Sequence, residues 1–144
     1  MSDRFNVYSG LTLGGALLVI IGGFLPIASA FGGTQNITFF DKGNNGIIVA
    51  ATLIVIGAPV LYFGNYKPLI FAVLVITGLL LTEFFDMAFD IAGDSTGLVE
   101  MKFLGWVFLF AGDALLIVTA FMALIDMPPG SASDSAHTID IPNP

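Results

Sequence analysis

FLGWVFLFAGDALLIVTAFMALI, residues 103–125, carries one ionisable side chain, Asp113, in a run that is otherwise apolar. At 1.5 Å per residue a helix of this length covers about 35 Å, enough to cross a bilayer's hydrocarbon core of about 30 Å. Three further runs share its character, at about residues 11–31, 47–63 and 68–85. The chain is 56% hydrophobic and only 10% charged, against about 25% charged in a soluble domain. Each run must satisfy its own backbone polar groups in lipid, and no barrel-type alternation is present, so helices follow. The expected fold class is all-α: a transmembrane four-helix bundle over residues 1–126, with left-handed crossings, a small polar lobe between helices 1 and 2, and an extended C-terminal tail, 127–144.

The polar start MSDRFNVYSG has a single Arg4, and the apolar run after it is too long for a signal core, so the first span is expected to stay in the protein. Four spans put both termini on one side of the membrane. The basic residues divide evenly: Arg4 and Lys67 on the terminal side, Lys42 and Lys102 on the other. The short GNYKP connection, residues 64–68, has the form of a cytoplasmic hairpin, which places the termini in the cytoplasm. Pro26 and Pro59 are expected as exit kinks at the ends of spans one and two. The lobe, GGTQNITFFDKGNNG (residues 32–46), is rich in turn formers, and its NITFF core suits a short strand. Asn36-Ile37-Thr38 fits the N-glycosylation pattern, but three-residue matches are common by chance and a plain polar loop is the expected reading. The tail lacks aromatics and periodicity and is rich in Pro, Ser and Asp, the composition of a segment that does not fold alone.

Small residues recur every seventh position in three spans: Gly15, Gly22 and Ser29; Ala50, Gly57 and Gly64; Gly105, Gly112 and Thr119. A period of seven keeps one edge against a partner helix, and small side chains let backbones approach where packing drives association. These are the expected helix-packing positions. Asp113 lies about nine residues into the fourth span, near the bilayer middle, where an ionised carboxylate costs at least ~2.5 kcal/mol. Thr52, Thr77 and Thr119 are its candidate partners. Two roles follow for it: a protonated or hydrogen-bonded acid that fixes helix register or binds a neighbouring subunit, or an intramembrane proton or cation site. Transport needs a relay of polar groups and the span centres hold only scattered threonines, so the register role comes first.

In TEFFDMAFDIAGD, residues 82–94, Glu83, Asp86, Asp90 and Asp94 fall on one side of a helix and form an acidic docking stripe. Its spacing lacks the density of a dedicated calcium loop, and no metal site is expected. Lys102, Trp106, Tyr62 and Tyr66 suit anchoring at the membrane surface.

Cysteine is absent and the one histidine, His137, lies in the tail. Thiolate chemistry, histidine-ligated haem and a Ser/His/Asp set are therefore excluded from the spans, and no phosphate loop or zinc spacing occurs. No cofactor is expected, nor is catalysis. A net charge of −7 makes nucleic acid a poor partner. GGALLVIIGGFLP (residues 14–26) together with GWVFLFAGDALLIVTAF (residues 105–121) resembles small four-span prokaryotic membrane proteins of unknown function. The resemblance implies four helices and offers no functional residues. The expected function is a noncatalytic integral-membrane accessory subunit whose partners are the bilayer and other membrane subunits. The alternative is an oligomeric proton- or cation-conducting protein that uses Asp113.

Overall fold

The computed structural model describes residues 2–126, with side chains from residue 7 onward. The tail lies outside the described residues. Four helices, α1 (Ser2–Phe24), α2 (Asn44–Phe63), α3 (Lys67–Gly93) and α4 (Phe103–Ile125), account for most of the chain. All four are long and apolar enough to cross a membrane. The closest pairing is α1 with α4; α3 packs on α4 and on α2, and α2 touches α1 more sparsely.

The first apolar run does not stay helical to residue 31. α1 stops at Phe24, and Pro26–Ala30 forms strand β1. Pro26 disfavours helical geometry at Leu25 and supplies no N–H, and it occupies the first position of the strand, where that absence is tolerated. Pro59 does not end α2. The helix runs on to Phe63 and is closed by Gly64, whose left-handed backbone (φ 65°) lets its N–H reach the Val60 carbonyl at 3.0 Å. The GNYKP hairpin is tight: the Asn65 side chain accepts from the Lys67 N–H at 3.2 Å, and a proline stands in the first turn of α3.

The lobe corrects a purely helical description. β1 is the middle strand of a three-stranded antiparallel sheet, flanked by β2 (Gln35–Thr38) and β3 (Val99–Met101). Ser29 stands opposite Asn36 on one side and Glu100 on the other. The α3–α4 connection thus completes a structure begun by the α1–α2 connection, and Ile27 to Ala30 are buried between them. The hairpin turns through Phe31, Gly32 and Gly33, all at positive φ. A single 3₁₀ turn, Phe40–Lys42, then leads into α2.

α3 is 27 residues long. That is about 40 Å of helix, longer than a hydrocarbon core of about 30 Å requires, and its acidic C-terminal end lies beside the sheet.

Candidate functional site

Three of the seven small packing residues, Gly15, Gly22 and Gly112, lie along the α1–α4 contact, and a fourth, Gly105, sets α4 against the segment that leads from α1 into β1. A methyl group added at Gly112 would lie 2.7 Å from the Gly15 carbonyl oxygen and 2.7 Å from the Val19 nitrogen. One at Gly22 would lie 2.6 Å from the Leu109 nitrogen, and one at Gly105 would lie 2.9 Å from the Leu25 and Pro26 carbonyl oxygens. Gly15 faces Leu116 and the Gly112 carbonyl oxygen in the same way. At Gly105 and Gly112 two of the three nearest obstructing atoms are backbone and cannot rotate aside; at Gly15 and Gly22 a backbone atom is accompanied by side-chain atoms. Thr119, which continues this edge, is fully buried and donates to the Leu115 carbonyl one turn back at 2.7 Å.

The α2 triplet behaves differently. Nothing lies within 4 Å of the position a Gly57 methyl would take. Ala50 lines an apolar groove between α1 and α2, with Ile20, Phe24 and Ile54. Gly64 serves the turn that ends the helix.

Asp113 is 3% exposed and faces α3, where Thr77 Oγ1 donates to its two carboxylate oxygens at 2.8 and 3.1 Å. Of the three candidate threonines, the structure therefore selects Thr77. Among the described residues Asp113 has no cationic partner. The pair is a polar tie between α3 and α4 inside the bilayer, next in sequence to the Gly112 contact on α1.

The acidic stripe divides. Glu83 is 8% exposed; it accepts a hydrogen bond from Asn45 Nδ2 and pairs with Lys42 Nζ at 3.8 Å. It is an internal strut between the lobe, α2 and α3, not a surface for docking. Asp86 and Asp90 are exposed. Asp94 caps the end of α3 and accepts from the Thr96 N–H at 2.9 Å and from the Thr96 hydroxyl. The side-chain bond from Thr96, followed by its backbone bond, holds the Asp94 carboxyl below the ordinary aspartate value of 3.8. No group of three or more acids or histidines placed to hold a metal occurs among the described residues.

Two of the four expected surface anchors are internal. Trp106 is 2% exposed and sits in an aromatic cluster, edge-on to Phe39 and Phe84 with centroids at 6.2 and 5.1 Å, and stacked on Phe110 at 5.8 Å. Tyr66 is buried, its hydroxyl 3.1 Å from Ser9 Oγ and its ring 5.6 Å from that of Tyr8. Tyr62 is 82% exposed and keeps the anchoring geometry. Tyr8 also donates to the Asp126 carboxylate, so the starts of α1 and α3 and the end of α4 are joined on the terminal side.

Sequence reasoning passed over the Lys42–Glu83–Asn45 strut. A signal was present: Lys42 precedes one apolar run and Glu83 ends another on the same side of the membrane. No protein-family model, curated protein or solved structure matches the chain.

Proposed function

We propose that the chain is a noncatalytic integral-membrane subunit of a larger membrane assembly, and that α2 is the helix it offers to its partner. The observation that supports this reading is the contrast between two kinds of small residue. Gly15, Gly22, Gly105 and Gly112 are consumed within the chain, whereas Gly57 has open space before it. Beside α2 lies a shallow groove of about 280 Å3 between Ile48, Ala51, Thr52, Val55 and Ile56, and Ile54 and Val55 are exposed. In lipid, helix association relies on close backbone approach rather than on hydrophobicity, so an unused small-residue edge is where a second helix fits. The crossings are left-handed in this reading, as the seven-residue period requires. The termini lie in the cytoplasm and the sheet lies outside.

Gly57→Leu tests the reading. Nothing lies within 4 Å of the position its Cβ takes, so the purified protein is expected to keep its thermal stability, while the complex recovered from native membranes is lost. Unchanged co-purification, or a wild-type chain that runs as an isolated monomer, overturns the proposal.

A second reading rests on Asp113, a buried acid near mid-membrane with a single threonine donor. Intramembrane acids line proton and cation paths in many membrane proteins. In this reading, vesicles containing the protein carry a cation or proton flux that Asp113→Asn abolishes. Absence of flux in the wild-type protein removes it.

A further inference from the structure

Between the sheet and the C-terminal end of α3 lies a cavity of about 250 Å3. Ile37, Met87 and Ile91 form its apolar wall, and Lys42, Asp90 and Asp94 its polar one. We propose that this cavity binds an alkylammonium group, either on a free small amine or on an aminolipid headgroup at the membrane surface. Its walls come from all three strands, the 3₁₀ turn and α3. Such a floor, formed by converging elements with a few charged groups at its edge, is the usual make-up of a small-molecule site.

The charge balance selects the ligand. Lys42 is engaged by Glu83 at 3.8 Å, so its charge is matched inside the protein. Asp90 has no hydrogen-bond or ion-pair partner among the described residues, and Asp94 receives hydrogen bonds from Thr96 and from the Leu98 and Val99 backbone but has no ion pair there. Two carboxylates one helical turn apart thus border an apolar floor, and the one cation in the lining, Lys42, is paired with Glu83 rather than with either of them. A group with an ammonium head and a short hydrocarbon body satisfies both walls at once; an inorganic cation would leave the apolar wall unfilled, and an anion would be repelled. The cavity of about 400 Å3 between α1, α2 and the 3₁₀ turn is lined by apolar residues without a charged group, so it offers no such selection.

The test uses the full chain in nanodiscs of phosphatidylglycerol, with the Met87 methyl group as NMR reporter and ethylammonium chloride as probe. Saturable movement of that methyl signal is expected, with sodium chloride at equal ionic strength producing none. Asp90→Asn should weaken binding about tenfold, the loss of one charge-assisted contact. Asp86→Asn, exposed on the same helix but away from the cavity wall, should leave it unchanged. Ile91→Phe, which narrows the cavity without altering charge, should also weaken it. Both aspartate sites are at the surface, so these variants retain the fold. Discs containing phosphatidylethanolamine distinguish the sources: a Met87 shift without added amine, displaced by ethylammonium, identifies the headgroup, and a shift only on adding amine identifies the free ligand. Non-saturable movement, or equal weakening by Asp86→Asn and Asp90→Asn, reduces the effect to general surface charge and overturns the proposal.

Discussion

At Gly112 a single hydrogen in place of a methyl group decides how close two helices lie. Because the blocking atoms are backbone on α1, Gly112→Ala must push the helices apart rather than rotate a side chain. The expected cost is about 1–3 kcal/mol, the range for overpacking, read as a lower unfolding midpoint in bicelles. Gly57→Ala, inside α2 with nothing within 4 Å of the added methyl, should not lower that midpoint and should raise stability by up to about 1 kcal/mol, the helix-propensity difference. Asp94 gives a pH prediction of definite sign. Its carboxyl sits below 3.8 when folded, so its bonds to Thr96 stabilise the α3 end fully above the unfolded value and are lost as pH falls through the folded one. Carboxyl NMR should show Asp94 titrating below the ordinary range, and Thr96→Ala should return it upward. At this scale the sequence was partly legible. The seven-residue spacing pointed to the glycines of α1 and α4, but the same spacing in α2 carried no sign that Gly57 would face outward and Gly64 would end the helix. The periodicity gives a face, while the neighbour of that face is set by the packing of the other helices.

Among the elements, the lobe departs most from what could be read in advance. NITFF supplied its strand as Gln35–Thr38, but nothing local marks PIASA as the central strand, since apolar residues after an apolar helix read as more helix. The proline at its head was the available clue. β3 was hidden for a different reason: three residues are too few for a period, and its pairing with β1 joins segments about 70 positions apart. The chain contains no cysteine, which makes this pairing easy to test. Ala30→Cys with Val99→Cys, opposite each other in the sheet, should form a disulfide on oxidation, detected by a mobility shift that reductant reverses. Trp106 shows the same limit for side chains. An aromatic at the start of a span has the position of a surface anchor, and only the arrival of Phe39 and Phe84 from two other elements encloses it. As the sole tryptophan, it should emit as a shielded indole and resist quenching by iodide. Trp106→Ala should cost about 3–5 kcal/mol, measured by thermal unfolding.

Over the whole molecule, composition settled what solvent the chain lives in, and four membrane-length helices agree with it. The way the helices associate had to come from geometry. Contacts concentrate on α4, which meets α1 through glycine and α3 through Thr77 and Asp113, while α2 stands at the edge with grooves on either side. Such a division leaves one helix available to a neighbour without loosening the rest.

The pairing of α1 with α4 also bears on how the protein is made. α1 ends at Phe24 and α4 begins at Phe103, so at about 5–20 residues per second the ribosome takes several seconds to deliver the partner helix after the first has entered the bilayer. During that interval a bare glycine flank faces lipid and β1 lacks one of its neighbours. A ribosome stalled short of residue 103 should therefore hold α1 with its glycine edge uncovered, open to crosslinking from positions that α4 shields in the finished protein.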